Sequence, residues 1–193
     1  MADHSPNRKL SRDYVLIDRL GFDDLPNVRY IHAACYRLIA DRFNSEEDGA
    51  AVSRHILAPQ YTDRLAEAVR NGTLIGARFE AELVGVAAWT PRSGGVRLDS
   101  LFVRPLMTGL GVGTMLLDAV EAAVTKAGFR EVAVSGPIDT ASFFEDRGYT
   151  TLSHGALTPT GTIQIPVAFM RKRLGGPSVS KPITEAEEPT PAS

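Results

Sequence analysis

A single cysteine, no strong excess of either charge and no long apolar run mark this 193-residue chain, and each absence excludes something. Cys35 alone builds neither a disulfide framework nor a cysteine-rich zinc site, and a lone thiol suits a reducing compartment, so a cytoplasmic location is expected. A formal net charge of −2 provides no field for nucleic acid or for an anionic membrane surface. No stretch approaches the ~20 apolar residues of a membrane span. The polar segment 1–12 also lacks the apolar centre of a signal peptide. The 4 histidines show no close metal-ligand spacing, so no metal is expected. What remains, 44% hydrophobic and 23% charged, is the composition of one globular domain with a sizeable core.

The most informative stretch runs from Leu98 to Leu117. Leu98, Leu101, Phe102 and Val103 form an apolar run suited to a buried strand, and Pro105 ends its pairing. Gly109, Gly111 and Gly113 then alternate with Leu110 and Val112. Leu116, Leu117, Val120 and Val124 follow at helical spacing, with Gly128 as the stop. Glycines leading into a helix allow close backbone approach, and the first amides of the helix have no internal partners. A phosphate or diphosphate suits such a place, although a plain strand-to-helix turn shows the same glycines. A P-loop would need a Lys after the last glycine, where Thr114 stands. A dinucleotide fold would need its glycines directly after the strand in a G-x-G-x-x-G spacing.

Val103-Arg104-Pro105 followed by Thr108-Gly109-Leu110-Gly111-Val112-Gly113 resembles the acetyl-CoA signature of the GCN5-related N-acetyltransferases (GNAT). In that family an apolar strand ends in Val-x-Pro, and Gln/Arg-x-x-Gly-x-Gly/Ala and a leucine-rich helix come next. Thr108 departs from the usual Gln or Arg. The resemblance implies that acetyl-CoA lies where the strands 96–103 and 131–135 splay apart. Backbone groups of Leu101, Phe102 and Val103 would pair with the pantetheine arm. The amides of Gly109, Leu110, Gly111, Val112, Gly113 and Thr114 would hold the diphosphate, with one further hydrogen bond from the Thr108 hydroxyl. A second signature, Asn then Ala then Tyr before Gly-Phe, matches at Phe143-Phe144-Glu145-Asp146-Arg147-Gly148-Tyr149. Phe144 stands where the family commonly has the Tyr that protonates the departing thiolate, and Pro137 falls at the Asn position.

The rest of the chain carries the same order of elements. Tyr14 to Ile17 reads as a strand. A helix begins near Asp23, Asp24 and Pro26, with Val28, Ile31, Cys35, Leu38, Ile39 and Phe43 on one face. Ser45-Glu46-Glu47-Asp48 resembles a second cap, Pro59 interrupts, and Leu65, Ala66 and Val69 continue a helix to Asn71-Gly72. Leu74 to Phe79, Leu83 to Trp89 and Val96 to Val103 form an antiparallel meander, with turns at Glu80-Ala81-Glu82 and Pro91 to Gly95. Glu131 to Ser135 follows the glycine-loop helix and is expected to pair in parallel through this crossover. Ala141 to Arg147 is a short helix. Tyr149 to Leu152 and Ile163 to Met170 form a last pair. The expected fold is α/β: a mixed, mostly antiparallel sheet of about seven strands with about four helices, splayed between the fourth and fifth strands. It spans residues 13–174, between a disordered lead-in (1–12) and a disordered Pro/Glu-rich tail (175–193).

An acceptor amine must lose a proton before it attacks. Asp99 is the first candidate base, because it interrupts an apolar run and the two-residue period puts it on the face of Leu101 and Val103. An ion pair with Arg97 accounts for it equally well. Ser135 or Ser142 is available to protonate the leaving thiolate in place of Phe144, and His154 is a further candidate at the acceptor cleft. Glu80 and Glu82 flank a turn. Tyr30, His32, Tyr36, Phe43, His55, Tyr61 and Trp89 are candidate linings of the acceptor site, and Cys35 reads as core. The resemblance implies an acyl-CoA-dependent N-acyltransferase, moving acetyl from acetyl-CoA to a primary amine of a small molecule or peptide, and the lack of a Cys or Ser nucleophile paired with a base fits direct attack in a ternary complex. The alternatives are a non-catalytic CoA-binding or protein-interaction module and, less consistent with the meander, a nucleotide-binding oxidoreductase. An exposed sheet edge leaves room for a homodimer.

Overall fold

A computed structural model describes residues 11–43, 54–56, 58–158 and 164–175. The expected cap at Ser45 to Asp48, Ile163, and nearly all of the lead-in and tail lie outside these residues. Strand β1 (Val15–Arg19) is followed by helices α1 (Leu25–Phe43) and α2 (Pro59–Arg70). The meander β2 (Leu74–Phe79), β3 (Glu82–Arg92) and β4 (Gly95–Val103) comes next. Helix α3 (Val112–Lys126) leads to β5 (Glu131–Pro137) and the short α4 (Ala141–Glu145). The hairpin β6 (Thr150–Leu157) and β7 (Ile165–Arg173) completes the sheet, whose order is β1-β2-β3-β4-β5-β7-β6. Among the described strands only β4 and β5 pair in parallel, joined by the crossover through α3.

Two apolar layers sandwich the sheet. Val112, Leu116, Val120 and Val124 recur every four residues along α3, are fully buried, and pack with Phe144 on Val96, Leu98 and Val134. On the other face Val28, Ile31 and Cys35 of α1 and Tyr61 and Leu65 of α2 cover Val86, Ala88, Ile165 and Val167. Pro59 does not interrupt a helix. It is the first residue of α2, where its missing N–H has no helical partner to lose.

Pro91 lies within β3, opposite Val96, rather than in the turn before β4. Strand β2 ends its pairing at Leu74 against Ala88, so the proline sits beyond the reach of that ladder. Strands β6 and β7 run past the expected boundaries, to Leu157 and Arg173. The Arg171-Lys172-Arg173 run therefore closes β7 in part as paired charge, with Lys172 2.6 Å from Glu121.

The β2–β3 turn is made without glycine: Glu80 and Ala81 both take positive φ, 50° and 68°. Left-handed backbone costs an L-residue about 1–2 kcal/mol, so Ala81→Gly is expected to raise stability by about 1 kcal/mol, read as an increased urea midpoint with unchanged m-value.

Candidate active site

The parallel ladder between β4 and β5 is short: Val96, Leu98 and the residue between them pair with Val132 through Val134, and no further. Beyond it, β5 continues against β7 as far as Pro137, while β4 continues against β3 as far as Val103. Among the described residues the β5-facing edge of β4 from Asp99 to Val103 therefore has no strand partner.

A bulge helps to open the gap. On β3, Ala88 pairs with Ser100 and Trp89 with Leu98, which leaves Asp99 as an extra residue on β4. A bulge of this kind bends its strand and resets the alternation of side chains. Leu98 faces α3, Ser100 and Phe102 face α1, and Leu101 and Val103 return to the α3 face. Asp99 thus does not share a face with Leu101 and Val103, as the simple period predicts. It joins Thr90 and Arg97 on the α1 side. The Thr90 hydroxyl donates to Asp99 Oδ2 and Arg97 Nε donates to Oδ1 at 2.6 Å. Both carboxylate oxygens are thus oriented, and the ion pair with Arg97 is present. The Asp99 side chain is 25% exposed.

A cavity of about 500 Å³ occupies the gap and passes from one face of the sheet to the other. Its α3-side wall comprises Gly109, Gly111, Gly113, Thr114, Phe143 and Phe144. Its α1-side wall comprises Tyr36, Ile39, Ile165 and Val167, with Asp99, Ser100, Leu101, Phe102, Val103 and Ser135 along the edges. Ser135 lies on β5 just past the last β4 pair. The Ser100 hydroxyl is buried without a hydrogen-bond partner. Its one mark in the sequence is a small polar residue inside the apolar run from Leu98 to Val103.

The glycine loop presents its amides at the start of α3. Gly109 and Gly111 have φ of 80° and 90°, a region that glycine enters without penalty, and Gly111 caps α3 with no side-chain bond. Among the described residues no backbone carbonyl accepts from the amides of Gly109 to Thr114, and the first loop-to-helix bond is Met115 N–H to Gly111. Free amides at the positive end of a helix favour a phosphate. Val112 itself is fully buried in the core, so only its backbone is available there, and neither its side chain nor that of Leu110 lines the cavity. The Thr108 hydroxyl donates to the Pro105 carbonyl at 2.5 Å and is already engaged.

Phe144 is 5% exposed and packs edge-on against Phe143 and Tyr149, at centroid distances of 5.0 and 5.4 Å. Tyr149 lines no part of the cavity, and burial raises its pKa. Arg147 does reach the cavity. It donates from Nη2 to the Thr114 hydroxyl at 2.5 Å and from Nη1 to the Phe143 carbonyl at 2.6 Å, and lies over the Phe143 ring. No spacing rule links it to the loop, because 33 residues separate it from Thr114. His154 is exposed on β6 opposite Ala168, and Ser142 is exposed on α4, both outside the lining.

Of the aromatic and imidazole residues expected at the acceptor wall, only Tyr36 lines the cavity, and the Phe43 side chain lies outside the described ones. Tyr30 is exposed beneath Arg104, and Trp89 is core. His32 is buried behind Phe102, 4.8 Å between ring centroids, with Nδ1 2.5 Å from the Tyr61 hydroxyl and Nε2 unpartnered. Burial pushes its pKa down to about 3. The Cys35 thiol donates to the Val103 carbonyl at 3.2 Å, and burial pushes its pKa up to about 11. That thiol stays protonated and is no nucleophile. Among the described residues no group of three or more His, Cys, Asp or Glu is placed to hold a metal ion, and no helix is long and apolar enough to cross a membrane.

The family described as the acetyltransferase (GNAT) domain matches residues 43–158, more than half of the chain. A comparison with curated proteins found no match. Among solved structures, the fold is similar to that of the PaiA N-acetyltransferase from Thermoplasma acidophilum in complex with coenzyme A. The TM-score is 0.69 at 17% identity over 82% of this chain and 98% of that one. A GCN5-related N-acetyltransferase from Rhodopseudomonas palustris gives 0.67 at 24% identity, over 82% and 95%. A ribosomal-protein-alanine N-acetyltransferase from Brucella melitensis gives 0.62 at 17% identity, over 82% and 99%. With its splayed β4–β5 pair, its glycine loop and this match, the chain belongs to the GNAT acetyltransferase family.

Proposed function

We propose that the protein is an acyl-CoA-dependent N-acyltransferase that moves an acetyl group to a primary amine of a small molecule or peptide. The observation that carries this reading is the meeting of two backbone sets in one cavity: the β4 edge that no described strand pairs, where the Cys35 thiol meets the Val103 carbonyl, and the amides of the glycine loop, which no described backbone carbonyl meets. Both sets lie along a half-buried cleft rather than in the core, and an extended amide-bearing arm ending in a diphosphate offers each of them hydrogen-bond partners. In this reading the backbone groups of Leu101 and Val103 on the open edge bind the arm, while the Phe102 backbone pairs with Val86 of β3, and Gly109 to Thr114 hold the diphosphate. Acetyl-CoA supplies the activated acyl group when bound.

The acceptor enters from the α1 side, where Tyr36, Ile39, Ile165 and Val167 form the wall and Asp99 lies at the edge. Asp99 takes the proton of the acceptor ammonium, with Thr90 and Arg97 fixing the carboxylate. Phe144 has no hydroxyl to give. A thiol of pKa about 8.5 leaves as thiolate at a cost of about 2 kcal/mol at pH 7, which Ser135 or water offsets in part. With the Cys35 thiol buried and protonated, direct attack by the amine replaces an acyl-enzyme route.

The absence of a hydroxyl at Phe144 favours one second reading, a CoA-binding module without turnover. Incubation with acetyl-CoA and a panel of amines and peptide N-termini, followed by thiol release, separates the two. The enzyme reading predicts amine-dependent thiol release with no lasting mass gain on the protein. Binding of acetyl-CoA without release from any amine supports the module, and absence of binding contradicts both.

A further inference from the structure

We propose that Arg147 is the cation that fastens the diphosphate of the CoA at the glycine loop, a role that residue 108 does not fill; the proposal rests on the acyl-CoA reading above. A diphosphate brings charge that helix-end amides neutralise only in part, and guanidinium groups match its oxygens with forked N–H pairs. Thr108, the side chain nearest the start of the loop, has no charge, and its hydroxyl is bound to the Pro105 carbonyl. Among the described residues lining the cavity, Arg147 is the one lysine or arginine, and the charged side chains with it are the carboxylates of Asp99 and Asp139.

Arg147 is also held in place before any ligand arrives. Its guanidinium carbon lies 3.9 Å from the centroid of the Phe143 ring. Nη1 is fixed by the Phe143 carbonyl and Nη2 by the Thr114 hydroxyl, in the first turn of α3. Of the five N–H bonds of a guanidinium, these contacts use two, and the buried Nε–H has no partner. Arg78, Arg97, Arg104, Arg171 and Arg173 each lie within 4 Å of a carboxylate oxygen, whereas the contacts that hold Arg147 go to a carbonyl, a hydroxyl and a ring. Its fixed partners are neutral, so its charge stands beside the loop amides already oriented. Preorganisation of this kind raises affinity because little ordering remains to be done on binding.

The test compares CoA, dephospho-CoA and pantetheine, which carries no diphosphate, by calorimetry on wild type and Arg147→Gln. The expected result is an approximately tenfold weaker affinity of Arg147→Gln for CoA and for dephospho-CoA alike, with pantetheine unchanged. A shallower salt dependence of CoA binding should accompany it. Equal CoA affinity in wild type and variant overturns the proposal while leaving the acyl-CoA reading intact. Equal losses for pantetheine and CoA overturn it too, since they mark a structural role through Phe143. A loss seen with CoA but not with dephospho-CoA moves the contact to the 3′-phosphate and contradicts the diphosphate assignment. Wild type that binds none of the three overturns the acyl-CoA reading itself. Thermal unfolding of the unliganded variant checks its fold. If Arg147→Gln does not fold, Arg147→Lys keeps the charge without the fork, and the proposal then requires a smaller loss confined to the two diphosphate ligands.

Discussion

Replacing Gly85 with valine is expected to lower stability by about 3 kcal/mol, which for a domain of this size is a fall of roughly 10 °C in Tm. A Cβ at this position would stand 2.9 Å from Leu116 Cδ1, 3.1 Å from Val112 Cγ1 and 3.2 Å from the Phe102 carbonyl oxygen. Leu116 and Val112 are fully buried and have no free space to retreat into, and the carbonyl belongs to β4. The side chain would therefore lift the N-terminal end of α3 from the sheet. That end carries the glycine loop, so the loss reaches the site as well as the core. Gly85→Ala should show about half the effect. Thermal and urea unfolding measure both, and a valine variant as stable as wild type would show that α3 does not pack on β3 as described.

The second large effect is pH-dependent. His32 is 1% exposed, and burial holds its pKa near 3 against an ordinary value of 6.5. The unfolded chain therefore takes up a proton that the folded chain refuses. The contribution of neutral His32 is fully present above pH 6.5 and declines as pH falls towards 3, at about 1.4 kcal/mol per pH unit. Between pH 7 and pH 4.5 the loss from this one group is about 3 kcal/mol. His55, whose pKa is also lowered by burial, adds in the same direction, so the comparison must be with a variant. His32→Phe should flatten the decline by that amount. At neutral pH it should cost about 1 kcal/mol, because the Tyr61 hydroxyl loses its partner. Urea unfolding of both proteins at pH 7.5, 6 and 4.5 reads the difference directly, and parallel slopes would contradict a buried neutral histidine.

The parts of the site that were legible in the sequence are those carried by neighbours in the chain. Val103 to Thr114 announces strand, glycine loop and helix in order, and the helix between β4 and β5 dictates their parallel pairing. The bulge at Asp99 leaves no mark, because an apolar run buried on both faces reads the same in either register. One added residue moves Asp99 from the face of Leu101 to that of Thr90 and Arg97. Strand β6 extends to Leu157 although its expected end is Leu152, because an edge strand exposed on both faces has no alternation to read. His154, two residues past that expected end, lies within the strand. Arg147 and Thr108 show a further limit. Which side chain bears the charge beside the loop depends on a carbonyl at Pro105 and a ring at Phe143, and both contacts arise from tertiary placement.

Hydrogen exchange with and without acetyl-CoA tests the central claim, that the open edge of β4 and the glycine loop together receive the acyl donor. The account predicts slowed exchange at the amides of residues 99–114, with β1 and β2 unchanged at the far side of the sheet. Binding of acetyl-CoA that protects other segments and leaves 99–114 as in the free protein would contradict it.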